Sequence, residues 1–430
     1  MHAMLDLIER HKRGEALGIA SVCSAHPIVI ETALRHALRV DAPLVLFEAT
    51  CNQVNQDGGY TGMRPADFVR FVHGIAASVG FDPARIALGG DHLGPNPWTA
   101  LDAAAAMDKA DTMVGAYVAA GFRKIHLDCS MACAGDPVPL PEPVIVERAV
   151  RLCRAAEAAH ARAGGEPPVY VIGTEVPVPG GATEAIEGLA VTAPEAALAT
   201  IEAHREAFAA AGLGDAWTRV IASVVQPGVE FDHHDVVYYR PEAACALSDA
   251  IAGVPGMVFE AHSTDYQTRE ALAALVRDHF AILKVGPGLT FALREALWAL
   301  DAIERETVEP EARANLREVA TARMRERPEY WQRYYHAQGR QLDVDLSWSL
   351  SDRIRYYWPD PAIEQARERL FANLREQPPP LPLLSQHLPH ALHALRHGRA
   401  TRDPQALVMA HVATVLDDYH RACHPRHDHR

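Results

Sequence analysis

The sequence of 430 residues lacks a long apolar run, a disulfide framework and an excess of positive charge. No uninterrupted run reaches the roughly 18 apolar residues of a membrane-spanning helix, and the first residues do not resemble a signal peptide. The net charge is −14, whereas a nucleic-acid partner requires clustered Lys and Arg. Seven scattered cysteines favour a reducing compartment. We therefore expect a cytoplasmic protein that neither spans a membrane nor binds nucleic acid.

Two signatures of nucleotide binding are also missing, the GxGxxG fingerprint and the Walker A loop. Instead, short apolar runs alternate with helical patterns, which is typical of βαβ units and predicts an α/β protein with a parallel sheet. The runs occupy residues 17–23, 44–48, 86–90, 124–127, 169–172, 220–225, 257–260 and 280–285. Eight units fit a closed TIM (β/α)₈ barrel. An open doubly wound sheet is the alternative, and the missing fingerprint disfavours it.

The pattern changes after Val308. Residues 311–327 are charged with helical spacing, residues 378–382 form a proline cluster, and the last residues are polar. No strand-like alternation follows the eighth apolar run. We therefore predict a barrel over residues 1–305 and a helical C-terminal extension, packed on it, over residues 306–430.

Polar or ionisable side chains follow nearly every predicted strand. In a barrel these positions meet at one mouth, where active sites lie. So many polar strand ends converging on one face predict a functional site. The residues concerned are Ser24, His26, Glu48, Thr50, Asn52, Asp91, His92, Asp128, Glu175, Gln226, His262 and Lys284.

Within this ring, His92, Glu175 and His262 are the predicted ligands of a divalent metal, zinc or manganese, because imidazole and carboxylate suit these ions. The alternative is that each histidine bonds a backbone group. Asp91 directly precedes His92, so strand alternation points it to the opposite side. We therefore expect Asp91 to be an acid/base group and not a further ligand, and we assign catalytic roles to Asp91, Glu175 and Asp128.

The last strand leads into Gly286-Pro287-Gly288 and Thr290 at the start of a helix. Backbone N–H groups at such a position can bind a phosphate, although an ordinary turn has the same sequence. We expect substrate contacts from eight residues: Glu48, Asn52, Gln226, Lys284, Gly286, Gly288, Thr290 and Arg353.

Six motifs spread along the chain resemble the Z-subunit family of bacterial D-tagatose-1,6-bisphosphate aldolase (GatZ/KbaZ type). The resemblance covers nearly the whole chain. It implies a TIM barrel related to the class II metal-dependent aldolases, and a partner, the separate catalytic subunit, whose activity and stability such proteins sustain. The motifs are GGDHLGPNPW (89–98), KIHLDCSM (124–131), IGTEVPVPGG (172–181), FEAHSTDYQ (259–267), KVGPGLTFALREALW (284–298) and YYHAQGRQLDVDLSWSLSDRIRYYW (334–358).

The class II pattern, carried over, makes Asp91 the acid/base and His92 a zinc ligand. Glu175, ahead of a Gly-Gly turn, and His262, near the end of the seventh strand, resemble the family's glutamate and last zinc histidine. Gln226 stands where these enzymes have a middle zinc histidine. Because glutamine is a poor ligand for such metals, either Glu175 substitutes or the metal is held weakly.

A second departure concerns phosphate. The family's phosphate-binding glycine pair is replaced by Ser263 and Thr264, which weakens the expectation of a bisphosphate. The turn at 286–290 and Arg353 or Arg355 remain as sources of anion contacts.

These observations predict an accessory subunit of tagatose-bisphosphate aldolase, acting in tagatose- or galactitol-type carbohydrate metabolism. The alternative is a metal-dependent C4-epimerase or aldolase that acts on a ketose or ketose phosphate by retro-aldol chemistry. A sugar-binding or regulatory barrel is a third possibility. The expected partners are the aldolase catalytic subunit and a ketose or ketose phosphate, and self-association into a homo-oligomer stays open.

Overall fold

Eight parallel strands close into a barrel in the computed structural model, which describes residues 3–173 and 189–425. The barrel strands pair in chain order, and the last pairs with the first, so the predicted TIM barrel is confirmed. The strands are β1 (Ile19–Val22), β2 (Val45–Thr50), β3 (Ile86–Leu93), β4 (Lys124–Leu127), β5 (Val169–Gly173), β6 (Val220–Val224), β9 (Val258–Ala261) and β10 (Phe280–Val285). A short antiparallel hairpin, β7 (Glu230–Phe231) and β8 (Val236–Val237), lies between β6 and β9.

Helices surround the barrel, and many of them begin at proline. Proline suits the first helical position because its missing N–H has no helical partner there. The helical patterns that follow the first two apolar runs predict helices over residues 27–39 and 65–79, and α2 and α3 have these bounds. The helices up to the end of the barrel are α1 (Ala3–Lys12), α2 (Pro27–Arg39), α3 (Pro65–Val79), α4 (Ala103–Ala120), α5 (Glu142–Ala163), α6 (Pro194–Ala210), α7 (Gly214–Trp217), α8 (Pro241–Ala252), α9 (Arg269–Arg277) and α10 (Pro287–Thr307).

The sequence pattern does not predict α1, which closes the N-terminal end of the barrel. Its Met4 and Ile8 are 1% exposed and pack on an apolar cluster inside the barrel. Burial of such side chains stabilises the fold by about 1.5–3 kcal/mol each. The cluster is formed by Ile19, Leu46, Val169, Val171, Ile221, Ala222, Val224, Val258, Ala281 and Ile282.

In the described residues after β10, the chain forms helices and turns and no strand. The helices are α11 (Leu316–Glu326), α12 (Gly339–Trp348), α13 (Pro361–Glu376), α14 (Leu381–His387), α15 (Pro389–Arg396) and α16 (Pro404–Cys423). The proline cluster joins α13 to α14. Because α10 runs through residue 307, the predicted division at 305/306 falls within this helix, and the division into domains stays a prediction.

The last helix, α16, stabilises the loop after β9 at the mouth of the barrel. Helix α16 packs against α2, α9 and α10. The hydroxyl of Tyr419 donates to the carbonyl of Thr264 at 2.8 Å and lies 2.9 Å from the Thr264 hydroxyl. That hydroxyl donates to the carbonyl of Lys284 at 2.6 Å, so the end of the chain fixes the loop after β9. Among the described helices, none combines the length and the hydropathy needed to cross a membrane.

Candidate functional site

A cavity of about 480 Å³ opens at the C-terminal ends of the barrel strands. This volume is within the usual range of small-molecule sites. The barrel contributes strand-end residues to its wall, among them Thr50, Asp91, His92, His262 and Lys284. The segment between α11 and α13 covers the other side with Arg333, Tyr334, Arg353, Arg355 and Tyr356. The site is therefore built jointly by the barrel and by the helical part of the chain.

Three imidazoles meet at the base of this cavity. The ring centroids of His92, His126 and His262 are 4.9–5.4 Å apart. In each ring one nitrogen lies at hydrogen-bond distance from an oxygen: His92 Nδ1 is 2.7 Å from Asp128, His262 Nε2 is 2.9 Å from Glu260, and His126 Nε2 is 3.1 Å from the Gly173 carbonyl. A neutral ring that donates through one nitrogen carries its lone pair on the other, which is the usual arrangement of metal-binding histidines.

The three imidazoles and Asp91 together fit a divalent metal. Each residue offers a ligand atom, these atoms all lie within 4.8 Å of one another, and the residues are at most 5% exposed. Zinc–nitrogen bonds of about 2.1 Å place two ligands at most about 4.2 Å apart, so only small adjustments are needed. This group contains His126 and Asp91, which are not in the predicted ligand set. The predicted ligand Glu175 and the glycine pair after it lie outside the described residues.

The expectation that Asp91 points away from His92 is wrong. Asp91 Oδ2 lies 3.7 Å from His92 Nε2, and Asp91 Oδ1 lies 3.1 Å from His126 Nδ1. The reason is the backbone of His92, whose φ of +50° is left-handed. Such a residue breaks the alternation of a strand, so consecutive side chains reach the same group.

Below the imidazoles lies a layer of buried charges. Lys124 Nζ is 2.7 Å from Glu48 and 2.6 Å from Glu260, while Lys284 Nζ is 2.7 Å from Glu48 and 2.8 Å from Asp91. The three carboxylates are close enough together to hold a metal. The ammonium groups of Lys124 and Lys284 already lie among these carboxylates and balance their charge. We therefore do not assign a metal to this layer.

Burial and charge act against each other on these groups. Burial alone would raise the pKa of Asp91, but the charges of His92 and Lys284 outweigh it and hold that pKa well below its usual range. Glu260 has a pKa lowered in the same way, because Lys124 and Lys284 outweigh its burial. The pKa of Lys284 is raised well above its usual value, since the carboxylates, Asp91 foremost among them, overcome its burial. At neutral pH these groups therefore stay ionised.

Several predicted site residues lie around the cavity but not at its wall. Asp128 is behind His92, and its other oxygen accepts from the hydroxyl of Ser130 at 2.7 Å. Glu48 belongs to the charge layer. Gln226 is not brought to this cavity, because its side-chain oxygen accepts from the backbone N–H groups of residues 228 and 229. Asn52, unlike these residues, lines the cavity at its exposed rim. Their predicted roles stay predictions.

The glycines of β3 make room for the protein's own side chains. A Cβ atom at Gly89 would lie 2.7 Å from Glu48 Cγ, and one at Gly90 would lie 2.5 Å from Leu93 Cδ1. A pair of glycines at a strand end can either let the backbone approach a ligand closely or relieve crowding. The observed contacts favour the second interpretation.

The turn at the start of α10 already holds an anion. The N–H groups of Gly286 and Gly288 donate to one oxygen of Asp265 at 3.0 and 2.7 Å. The hydroxyl of Thr290 donates to Asp352 at 2.6 Å. Burial raises the pKa of Asp265 to about 6 despite these hydrogen bonds. The predicted phosphate contacts of the turn therefore go to this chain's own carboxylates.

Sequence reasoning assigned no role to several residues of the site. Lys124 and His126 alternate with apolar residues in the run KIHL, and a charged residue inside a buried strand was a usable signal. Glu260 likewise precedes His262 by two positions, as Lys124 precedes His126. Asp265 and the aromatic residues of the covering segment carry no such signal, because only the fold brings them to the mouth.

The profile of the D-tagatose-1,6-bisphosphate aldolase subunit GatZ/KbaZ-like family matches residues 4–424. A protein from Sinorhizobium meliloti 1021, whose crystal structure is described as that of a probable tagatose 6 phosphate kinase, is 51% identical in sequence to this chain. The two structures superimpose with a TM-score of 0.87, and the match covers 94% of this chain and 100% of that chain. Two more distant structures also match. The first is a fructose-bisphosphate aldolase from Campylobacter jejuni, with 15% identity and a TM-score of 0.43 over 86% of this chain and 92% of that chain. The second is the fructuronate-tagaturonate epimerase from Cohnella laeviribosi, with 13% identity and a TM-score of 0.47 over 94% of this chain and 81% of that chain; similarity this low supports no functional argument. The family match over nearly the whole length decides the assignment: the chain belongs to the GatZ/KbaZ-like family of D-tagatose-1,6-bisphosphate aldolase subunits.

Proposed function

We propose that the barrel mouth carries out metal-dependent chemistry on a ketose, in which a carbon–carbon bond next to a hydroxyl group breaks and re-forms. The observation that carries this proposal is the buried group of three imidazoles and Asp91 at the base of a cavity. A barrel closes without such a group, and burying it costs stability. Membership of a family described by an aldolase supports the same reaction class.

The three imidazoles would hold the metal, with Asp128, Glu260 and the carbonyl of residue 173 orienting the rings. A bound divalent cation would polarise the ketone and stabilise the negative charge that develops on its oxygen. We expect zinc or manganese, because imidazole suits both.

The chain's own groups would move the proton. Asp91 lies on the cavity wall, and its carboxylate is positioned by Lys284 at 2.8 Å. It would accept the proton of the C4 hydroxyl while the C3–C4 bond breaks and its electron pair passes to the ketone, giving an ene-diolate and an aldehyde. Return of the proton after addition to the other face of the aldehyde gives the C4 epimer. Protonation at C3 and release of both fragments give cleavage.

The experiment measures metal content and turnover of the purified protein. With added zinc or manganese, we expect conversion of fructose, tagatose or their phosphates, and a loss of at least about 100-fold in His262→Ala, because a ligand of the metal is removed. His397→Ala is the matched control, since His397 is exposed on α15's C-terminal side. Equal turnover in His262→Ala and wild type would contradict the proposal.

A second function, support of a separate catalytic subunit, is favoured by the family's description as an aldolase subunit. Protein that converts no ketose, yet raises the activity of an added class II aldolase catalytic subunit, would establish it in place of the first. Phosphoryl transfer, as in the description of the S. meliloti protein, has no corresponding Walker A loop in this sequence.

A further inference from the structure

The turn where a barrel would bind a phosphate is closed by the protein itself. Asp265 accepts from both glycine N–H groups of the turn, and a Cβ atom at Gly288 would lie 3.0 Å from its oxygen. The small residue therefore makes space for this carboxylate. A second anion beside Asp265 would face a like charge once Asp265 is ionised.

Arg353, on the covering segment, has the opposite character. It is 3% exposed, lies in the short 3₁₀ helix Arg353–Tyr356 and lines the cavity. Its guanidinium carbon lies 3.2 Å from the ring centroid of Tyr334, and Nη1 is 3.4 Å from the hydroxyl of Tyr356. Within the described residues, Nε and Nη2 are buried without a hydrogen-bond partner. Because leaving charged donors unsatisfied is costly, their position at a cavity indicates a ligand that accepts from them.

The surroundings of Arg353 also favour an anion. Arg355 donates to the hydroxyl of Tyr356 at 3.2 Å and lines the same cavity, as does Arg333. Burial would raise the pKa of Tyr356, yet the charges of Arg355 and Arg353 outweigh it and lower that pKa. An arginine presents its donors in a planar fork that matches phosphate and carboxylate oxygens.

We propose that Arg353, together with Arg355, binds a single terminal oxyanion of the ketose, phosphate or carboxylate, while its ketone lies at the imidazoles. This inference rests on the proposed function and adds the substrate class: a ketose with one anionic end. A bisphosphate gains little, because the other anion position holds Asp265.

The test is titration calorimetry of the full-length chain after removal of metal by chelation, so that no turnover occurs. The probes are fructose, fructose 6-phosphate, fructuronate and fructose 1,6-bisphosphate. We expect the 6-phosphate or the uronate to bind at least about 10-fold more tightly than fructose, and the bisphosphate to bind no more than a few-fold more tightly than the 6-phosphate. The two singly charged probes decide between phosphate and carboxylate.

In Arg353→Met, the affinity for the charged probe should fall about 10- to 100-fold and approach that of fructose, whose own affinity stays unchanged. Arg353→Lys should recover part of the loss. Arg162→Met is the control, because Arg162 is exposed at the C-terminal end of α5, at the opposite end of the barrel. If Arg353→Met does not fold, Arg355→Met serves as the second variant with the same expected direction.

Three results would overturn the inference. Wild type could bind fructose and both singly charged probes with equal affinity, or the arginine variants could keep wild-type affinity for the charged probe. The third result is a bisphosphate that binds more than about 10-fold more tightly than the 6-phosphate. Failure of the proposed function is a separate result. Charged-probe binding that depends on Arg353 without any turnover would remove the reaction and leave the binding site. Turnover without dependence on Arg353 would do the reverse.

Discussion

The interior of the barrel consists of two layers that are equally buried and chemically opposite. Along β9 the inward side chain changes from Val258 to Glu260, and along β10 from Ile282 to Lys284, a step of two residues in each strand. All four are at most 5% exposed. Apolar burial stabilises a fold, whereas buried charges repay their desolvation only through close pairing. The lower, apolar layer, with Val258 and Ile282, therefore stabilises the barrel directly. The upper, charged layer, with Glu260 and Lys284, depends on its ion pairs for stability.

Lys124→Met would break the upper layer most strongly. Glu48 and Glu260 each lose an ammonium group at 2.6–2.7 Å, so the variant should lose about 3–5 kcal/mol of unfolding free energy in chemical denaturation. Adding Glu260→Gln to this variant should restore part of the lost unfolding free energy, because one buried carboxylate without its ammonium partner is removed. A loss below about 1 kcal/mol would mean that the charge layer is not energetically coupled.

Asp265→Asn tests a buried carboxyl group that accepts hydrogen bonds from the backbone N–H groups of Gly286 and Gly288. The pKa of Asp265 is raised to about 6 by burial, above the usual value, so its contribution to stability is present at acid pH and is lost as the pH rises through about 6. Asparagine keeps the acceptor oxygen for both glycines without the charge.

The stability of Asp265→Asn relative to wild type should therefore increase by about 2.4 kcal/mol between pH 4 and pH 7.5, measured by denaturation at each pH. Asp215→Asn, at an exposed position, controls for the chemistry of the substitution. A difference that does not vary with pH would show that the Asp265 carboxyl group titrates normally.

Asp128→Asn sharpens the comparison at the mouth. The carboxylate holds His92 Nδ1 at 2.7 Å, and loss of such a partner weakens metal binding by about 10- to 100-fold. Metal affinity measured by competition with a chelator checks this. Unchanged affinity would place the metal away from His92, and excess metal should restore turnover if the effect is on binding alone.

Ile282→Val is the matched change in the lower layer and has the smallest expected effect. Removal of one buried methylene should cost about 0.5–1.5 kcal/mol and leave metal affinity unchanged. Both quantities come from the same denaturation and chelator experiments. A change in metal affinity would show that the two layers are not independent.

The barrel could be predicted because its signal is local. Eight apolar runs, helix starts at Pro27 and Pro65, and the lack of a nucleotide loop each depend on short stretches of sequence. Helix α1 was missed because it is short, with 10 residues, and its apolar side chains find their place only against the end of the barrel. The strand-end rule located Asp91, His92, His262 and Lys284 at one mouth, although it could not give their roles.

The remaining features of the site depend on contacts between distant segments. Asp265 fills the glycine turn across 21 and 23 residues of sequence, and no local pattern predicts this. The wrong orientation of Asp91 came from assuming regular strand geometry where His92 is left-handed. Sequence thus predicted at which face of the barrel the polar strand ends converge, and tertiary contacts decide which residue contacts which atom.

The hydrogen bond from Tyr419 to Thr264 has a consequence for the synthesis of the chain. The barrel strands and their polar ends leave the ribosome before α16 does, because translation proceeds from the N-terminus. N-terminal segments can therefore fold first. The loop that contains Asp265 is held in part by the hydroxyl of Tyr419, which lies 155 positions after Thr264. The hydrogen bond to Thr264 can therefore form only after α16 has been synthesised, and a premature stop codon just ahead of α16 would remove it.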